Sequence, residues 1–195
     1  MNKLDTLLQE VRACRRCRDA FGFEPRPVLR AEATARLLIA GQAPGSRVHE
    51  SGVPWQDPSG DRLRDWLAVD HETFYDASRI AIIPTGFCYP GQDANGADRP
   101  PPPVCAEIWH ERILGLLPRI KLVILSGAHA QKYYLGKERK KTMTETVRAW
   151  RDYGPRFIPL PHPSWRNTGW LKRHPWFTVE ILPELRKRVR AVVGD

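Results

Sequence analysis

Four short apolar runs divide the chain, and segments with helical spacing of apolar residues separate them. The runs lie at residues 36–41, 79–84, 120–126 and 156–161. Apolar runs this short, bounded by charge, Gly or Pro, are typical of buried strands. Helical patterns lie at about 2–13, 60–69, 104–117, 128–136, 137–151 and 175–192, of which 137–151 is charged and expected to be exposed. Strands that alternate with helices predict an α/β fold, in which a four-stranded parallel sheet carries helices on both faces.

The N-terminal segment predicts a short amphipathic helix that leads into a close pair of cysteines. A polar link over 18–35 then precedes the first strand. The segment lacks the continuous apolar core of a secretory signal, and no run in the chain approaches membrane-spanning length. We therefore expect a cytoplasmic protein without a membrane anchor. A length of 195 residues predicts a single domain over 1–195.

The first strand runs into a loop, residues 41–59, that brings several polar and aromatic side chains together. It carries Gln42, His49, Glu50, Trp55 and Asp57. In α/β proteins, ligands bind beyond the carboxyl ends of the strands, where such a loop lies. A flat aromatic side chain beside a carboxylate and an amide can hold a planar ring and act on it. The alternative is a surface loop whose glycines and prolines only shape turns.

The last strand leads into a second candidate loop, which reads PHPSWRNTGWLKRHPWF. His162 lies between two prolines that fix its backbone, and basic residues alternate with Trp165 and Trp170. Strand-end loops of a parallel sheet face one crevice, so His162 can meet Trp55 and Asp57. Basic and aromatic side chains together suit a strand of phosphates and stackable bases. The net charge of +9 also favours an acidic partner, of which nucleic acid is the commonest.

The chain has four cysteines, Cys14, Cys17, Cys88 and Cys105. A disulfide is not expected in a cytoplasmic chain, and two zinc knuckles would need a second close pair of cysteines. Four thiolates with one close pair can hold a cubane [4Fe-4S] cluster, because a cluster needs four converging sulfurs but no second knuckle. Zinc bound by the same cysteines is the alternative.

Three features together resemble the uracil-DNA glycosylase superfamily, most closely its iron–sulfur branches, families 4 and 5. Residues 41–45, GQAPG, are similar to motif 1 of family 4, and residues 162–164, HPS, are similar to motif 2. The four cysteines match the cluster ligands in order and spacing. The resemblance covers about residues 10–180. It implies a three-layer α/β/α sandwich around a four-stranded parallel sheet, in a protein expected to be a monomer.

The resemblance also implies the roles of individual residues. The substrate would be DNA containing a damaged base, which is flipped into a pocket for cleavage. Trp55 would stack on the base, and His162 would stabilise the charge that develops at O2 of the departing uracil. The loop after His162 would wedge the strand and grip phosphates, and the cluster would be structural. The expected substrate contacts are Gly41, Ala43, Trp55, Thr85, Ser164, Arg166 and Asn167.

One departure from the family concerns the residues that activate water. Family 4 has Glu where this chain has Gln42, and an amide can orient a water molecule but cannot accept its proton. Residues 57–60, DPSG, are similar to the D-x-S-G of family 5, whose Asp activates water. We therefore expect Asp57 to supply the carboxylate, with Gln42 orienting the water. The alternative is that Asp57 only caps the next helix. His49, where family 4 has an acidic residue, is a weaker candidate.

A second departure concerns the residue that reads the base. Family 4 has an Asn that bonds the uracil edge, and this chain has Pro84 at that position. The selectivity for uracil over other bases should therefore relax, unless Thr85 takes the place of the Asn.

The leading hypothesis is a monofunctional DNA repair glycosylase that hydrolyses the N-glycosidic bond of uracil or a related deaminated base. One alternative is a catalytically weak or inactive binder of damaged bases or nucleic acid with the same fold. Another is a zinc-stabilised α/β protein whose basic charge is incidental.

Overall fold

The computed structural model describes residues 2–194 and contains one four-stranded sheet. Its strands are β1 (Leu37–Ala40), β2 (Ile80–Ile82), β3 (Leu122–Ser126) and β4 (Phe157–Leu160). The spatial order is β2-β1-β3-β4, and every neighbouring pair is parallel. The predicted four-stranded parallel sheet is therefore confirmed. In this order the chain leaves β1 toward one side for β2 and returns to the other side for β3, so the topological switch point lies between β1 and β3.

Ten α-helices connect and flank these strands within residues 2–194. They are α1 (Lys3–Arg12), α2 (Arg18–Phe21), α3 (Ser46–Ser51), α4 (Pro58–Leu67), α5 (His71–Tyr75), α6 (Glu111–Leu114), α7 (Ala128–Leu135), α8 (Met143–Arg148), α9 (Thr168–Arg173) and α10 (Leu182–Val193). A π-helical segment precedes α6 at Ala106–His110, and another precedes α10 at Phe177–Ile181. Short 3₁₀ turns lie at Gly136–Glu138, Trp150–Tyr153 and Trp165–Asn167. No helix of this described part is long and apolar enough to cross a membrane.

Successive residues of each strand point to opposite faces of the sheet, and both faces are covered. One face packs against α4, α9 and α10 through Leu37, Ile39, Ile80, Ile82, Leu122, Ile124, Ile158 and Leu160. The other packs against α1, α7 and the segment around α6 through Leu38, Ala40, Ala81, Val123 and Leu125. These two apolar cores confirm the three-layer α/β/α arrangement.

The prediction of one exposed helix over 137–151 was wrong. The helical pattern is interrupted at residues 139–142, and α8 begins anew because Thr142 and Glu145 form a reciprocal capping box. Val147 and Trp150 are buried in the core, so the segment is not an exposed surface helix. Charged residues dominate the segment over 137–151, and they obscured the spacing of the apolar residues that pack into the core.

Two segments expected to lack helix contain short helices. The loop over 41–59 includes α3, which ends at Gly52 in the left-handed conformation (φ 73°). The polar link over 18–35 includes α2. Both helices have six residues or fewer, and single-turn helices draw their stability from tertiary contacts rather than from sequence propensity.

A fully buried histidine, His110, connects the π-helical segment to the end of β2. Its Nε2 lies 3.1 Å from the carbonyl oxygen of Pro84, and its ring stacks on Phe87 at 5.2 Å between centroids. Burial lowers the pKa of His110 to about 4, and the bonds to the Pro84 and Thr85 backbone only partly oppose that shift. The ring is therefore neutral at pH 7 and donates from Nε2 to the Pro84 carbonyl.

We expect His110 to make folding stability depend on pH. Because its pKa is lowered in the folded state, the unfolded chain binds more protons below pH 6.5, and stability present above that pH is lost as the pH falls toward 4. Between pH 7.5 and pH 5 this removes about 2 kcal/mol from the free energy of unfolding. Urea denaturation should show that the free energy of unfolding falls less in His110→Gln than in wild type between pH 7.5 and pH 5. His71→Gln, at an exposed histidine on α5, is the matched control, and an unchanged pH profile in His110→Gln contradicts the prediction.

Candidate active site

A cavity of about 600 Å³ opens at the carboxyl ends of the strands. Its walls come from the segment after β1, the loop before α4, residues 90–98 and the segment after β4. Val28, Ile82 and Pro84 provide apolar surface, and the polar lining includes Gln42, Asp57, Asp98, His162, Ser164 and Asn167. A cavity of this size, lined by both apolar and polar side chains, is typical of pockets for small molecules and bases. The two loops predicted from the sequence therefore meet in one cavity.

The segment after β1 is held in place by Thr85. The Thr85 backbone N–H donates to the Gly41 carbonyl at 2.9 Å, and its hydroxyl lies 2.7 Å from the Gln42 carbonyl oxygen. The Gly86 N–H donates to the same Gln42 carbonyl at 2.8 Å. Thr85 is buried, and its hydroxyl donates its proton to the backbone carbonyl of Gln42. Its expected contact with the base edge is therefore not supported, and its position indicates that it holds the loop instead.

Gln42 and Ala43 both line the cavity, as expected of this segment. The Gln42 side-chain amide donates to the carbonyl of Arg99 at 3.2 Å, which leaves its oxygen as a free acceptor. This bond also ties the loop after β1 to the segment that carries Asp98. Gln42 can therefore orient a water molecule, while the proton has to go to a neighbouring carboxylate.

Trp55 lies on the cavity wall in a strained backbone conformation. Its φ is 59°, a left-handed value that costs a non-glycine residue roughly 1 kcal/mol. Two glycines make room for it: a Cβ on Gly41 would lie 3.2 Å from the indole, and a Cβ on Gly60 would lie 1.8 Å from the Trp55 carbonyl oxygen. The indole stacks on the His162 ring at 5.6 Å between centroids, with 28° between the planes. The site thus fixes a flat aromatic surface beside the histidine.

The Asp57 side chain both caps α4 and lines the cavity. One carboxylate oxygen accepts a hydrogen bond from the Gly60 N–H at 2.8 Å, and Pro58 occupies the first turn of the helix. The capping alternative is therefore correct as a description of the local structure. It does not exclude a chemical role, because a carboxylate has two oxygens and Asp57 also faces the cavity.

The geometry of His162 defines which of its ring nitrogens is available to a ligand. The backbone N–H of Ser164 donates to Nδ1 at 3.2 Å. Burial lowers the pKa of His162 below its ordinary value, while the charges of Asp57 and Asp98 oppose this shift. The ring is therefore neutral near pH 7, accepts at Nδ1 and carries its proton on Nε2. A neutral donor on the cavity wall can bond an oxygen that gains negative charge.

Several residues hold the His162 loop against the sheet. The Asn167 amide donates to the His162 carbonyl at 2.7 Å, and Arg62 on α4 donates to the Ser164 carbonyl at 2.9 Å. Gly127, which follows β3, has φ 85°, and a Cβ there would lie 3.4 Å from the Cβ of His162. The loop after β4 can therefore approach the loop after β1 across the end of the intervening strand.

The outer rim of the cavity is basic and aromatic. Ser164, Arg166 and Asn167 line it as expected, and Arg166 donates to the Gly96 carbonyl at 3.3 Å. Trp165 between them is 74% exposed, which is unusual for a side chain of this size. The Arg166 guanidinium lies 5.8 Å from its ring centroid. Such a rim can contact phosphates and stack against bases.

Asp98 is a second carboxylate on the cavity wall, and the sequence pattern did not indicate it. It lies on a turn that Asp93 closes by accepting backbone hydrogen bonds from Asn95 and Ala97 at 2.8 and 3.0 Å. Gln92 lies opposite Asp98 in an isolated antiparallel bridge. The only signal in the sequence was an acidic, glycine-containing loop between two cysteines, which does not predict that the loop folds back over β1.

His49, the weaker candidate, does not line the cavity. Its ring packs against Phe23 and Tyr89 at 5.4 and 5.8 Å between centroids. The family position that it occupies therefore lies away from His162 and Asp57 in this structure.

All four cysteines line a second, separate cavity beside the π-helical segment. Its other walls are mainly apolar and include Phe87, Val104, Ile108 and Trp109. Burial, followed by the neighbouring thiols, raises the pKa of Cys88 to about 12, and burial raises that of Cys105 to about 11. Both are neutral thiols unless a cation ionises them. Within residues 2–194, no three His, Cys, Asp or Glu side chains are arranged to hold a single metal ion.

Comparison with known proteins places this geometry in a family. A family model described as the uracil DNA glycosylase superfamily matches residues 29–186. The match includes every residue that lines the first cavity except Val28, together with Cys88 and Cys105 of the second. Over this length it covers most of the chain and all four strands. The chain therefore belongs to the uracil DNA glycosylase superfamily.

Proposed function

We propose that this protein is a DNA repair glycosylase that hydrolyses the N-glycosidic bond of uracil or a related deaminated base in DNA. The observation that carries the proposal is the neutral His162, whose Nε2–H is left for a ligand in a cavity shared with Trp55 and Asp57. A family match alone supports a glycosylase domain in general. The arrangement of these three side chains supports the specific reaction.

The reaction breaks the bond between C1′ of the sugar and the base nitrogen. The bonding electron pair leaves with the base, and its negative charge spreads to the ring oxygens. A hydrogen bond from His162 Nε2 to such an oxygen becomes stronger as that charge grows, so it stabilises the transition state more than the substrate. Trp55 offers the flat surface on which the base would stack before the bond breaks.

Water completes the reaction by forming a new bond to C1′ and giving up a proton. The Gln42 oxygen can orient this water, and the free oxygen of Asp57 would accept the proton or stabilise the positive sugar. Asp98 also lines this cavity. We assign the role to Asp57 because α4 and its cap hydrogen bond fix the carboxylate, whereas Asp98 is exposed on a turn.

The lining of the cavity supports a broad choice of base. Pro84 offers no side-chain donor or acceptor, and its carbonyl is already bonded to His110. Val28 and Ile82 add apolar surface around it. A site that leaves the base edge unbonded discriminates weakly between bases that differ in polar groups. We therefore propose that uracil is one of several deaminated bases accepted.

The rim of the cavity supports DNA as the substrate. Arg166 and the loop of Ser164 and Asn167 would contact phosphates, and the exposed Trp165 would stack into the space beside the target nucleotide. The base would have to leave the duplex or come from a single strand, because an enzyme cannot reach the reacting bond of a base that stays stacked in the duplex.

We further propose that the four cysteines hold a [4Fe-4S] cluster, as in the iron–sulfur branches of the superfamily. Each cysteine of a cubane binds a different iron, so the sulfurs surround a large body rather than one ion. Four cysteines that line one cavity supply the four sulfur ligands that a cubane needs. The cluster would join the segment after α1 to the segment after β2.

The first test is cleavage of labelled oligonucleotides that each carry one uracil, hypoxanthine or xanthine, with alkali to reveal abasic sites. We expect cleavage of more than one base, and we expect His162→Ala to reduce the cleavage rate by about 10²–10³-fold with unchanged iron content. Equal rates in wild type and His162→Ala would remove the assigned role of His162. Binding without cleavage of any base would favour the alternative of an inactive damaged-base binder, to which Gln42 and Pro84 point.

A second prediction separates the two roles of Asp57. Asn is as good a helix cap as Asp, so Asp57→Asn should keep the thermal unfolding midpoint while the cleavage rate falls about 10²–10⁴-fold. Asp98→Asn is the matched control and should retain at least half of the wild-type rate. If Asp98→Asn loses the activity and Asp57→Asn does not, the carboxylate that activates water is Asp98.

A third prediction concerns the cysteine cavity. Protein purified without oxygen should contain about four iron and four sulfide per chain. Cys88→Ser should lower the iron content and the thermal unfolding midpoint, because Cys88 and Cys105 are buried and a lost cluster leaves their cavity empty. A protein that takes up one zinc per chain, and no iron after anaerobic reconstitution, would reject the cluster.

A further inference from the structure

A second groove, of about 610 Å³, lies on the surface beyond α9 and has no part in the cavity described above. It lies between α8 and the turn that precedes the π-helical segment Phe177–Ile181. Its walls are formed by Lys140, Lys141, Thr144, Glu145, Arg148, Ala149, His174 and Trp176. Basic and aromatic side chains thus line one groove together with the carboxylate of Glu145, and basic side chains beside aromatic ones are typical of a site for single-stranded nucleic acid.

The aromatic side of the groove is rigidly packed. The His174 ring stacks on Trp170 at 4.4 Å between centroids, with 20° between the planes, and its Nδ1–H donates to the Trp170 carbonyl at 2.8 Å. The Trp170 indole N–H in turn donates to the Thr144 hydroxyl at 2.8 Å. Trp176 meets Trp170 edge to face at 5.6 Å. The half-exposed His174 ring therefore presents a fixed, flat surface.

The basic side of the groove offers both a point charge and a planar cation. The Arg148 guanidinium lies 4.7 Å from the Trp176 ring centroid and 3.8 Å from a carboxylate oxygen of Glu180, and its side chain is 56% exposed. Bases stack on such guanidinium planes as they do on aromatic rings. Lys141 is exposed and takes part in no ion pair within residues 2–194, whereas Lys140 is paired with Asp152 at 2.8 Å. Lys141 is therefore the cation available to a phosphate.

The groove is connected to the rim of the active-site cavity by one short stretch of chain. Trp165–Asn167 and α9 separate the rim from His174, and together they span at most about 15 Å. Lys172 and Arg173 are exposed at the end of α9. A DNA strand covers this distance with about four nucleotides. Positive charge therefore continues from the cavity rim to the groove.

We propose that this groove binds the DNA strand on one side of the target nucleotide, about four nucleotides away. Lys141 contacts a phosphate there, and a base stacks on the surface formed by Arg148 and His174. The groove is an accessory site, since it lies outside the cavity and touches no residue assigned to catalysis. The identification of the ligand as DNA rests on the proposed function, while the preference for a single strand follows from the stacking surfaces.

The test measures binding rather than cleavage, by fluorescence anisotropy of single-stranded oligonucleotides. Each carries an uncleavable tetrahydrofuran abasic analogue as the target, with eight extra nucleotides on the 5′ side, on the 3′ side or on neither. Three proteins are compared: wild type, Lys141→Glu/Arg148→Glu and the control Arg119→Glu/Lys121→Glu. The control makes the same charge change at exposed residues before β3, at the opposite end of the sheet. Thermal unfolding of all three checks that they fold.

Wild type and the control should gain affinity from only one of the two extensions, and the groove variant should lose that gain by about tenfold or more. With the favoured extension, the slope of log Kd against log salt should be smaller by about 0.7 in the groove variant, because Lys141 no longer neutralises a phosphate of the single strand. Lys141→Gln/Arg148→Gln should behave similarly if charge reversal disturbs folding.

An equal gain from both extensions, or a gain that survives in the groove variant, would overturn the proposal. This result is independent of the proposed function. Cleavage of uracil without an extension effect rejects only the groove. An extension effect that the groove variant loses, in a protein that cleaves no base, rejects only the glycosylase.

Discussion

Close approach of backbone segments at the carboxyl edge of the sheet is the constraint on which the active-site cavity depends. β1 and β4 are separated by β3, so their loops can meet only across the end of β3. Gly127 allows this because its left-handed backbone adds no side chain beside His162. Gly60 does the same for Trp55, whose carbonyl oxygen lies where a Cβ would be. A Cβ at position 60 would clash with the Trp55 backbone, and a residue other than glycine at position 127 would be strained at its left-handed φ of 85°.

Burial at this edge also sets the chemistry of His162. A solvated histidine would be partly charged near pH 7, but burial favours the neutral ring, and the Ser164 N–H leaves the proton on Nε2. The two nearby carboxylates oppose this effect without facing the ring in a direct hydrogen bond. The same cavity thus holds a neutral donor and two carboxylates, which in the proposed reaction would stabilise the departing base and the positive sugar.

The segment after β2 joins the two cavities of the protein. Pro84 and Thr85 lie at the active-site edge, where Thr85 fixes the backbone of Gly41 and Gln42. Three residues later Cys88 lines the cysteine cavity, and Phe87 packs on the buried His110. The cysteine cavity and the loop after β1 are therefore linked through a few consecutive residues. The cluster that we propose would be connected in this way to the segment that fixes Gly41 and Gln42.

The sequence by itself determined the parallel sheet, its helical layers and the two loops that form the cavity. Apolar runs and strand–helix alternation report local burial, and parallel strands place their loops at one edge for geometric reasons. Long-range contacts decided the rest. Only the fold shows that the Thr85 hydroxyl is bonded to the backbone carbonyl of Gln42 and that Asp98 lines the cavity. Only the fold shows, too, that Val147 and Trp150 are buried despite their charged neighbours. These outcomes depend on which distant groups pack together, and no periodicity along the chain records that.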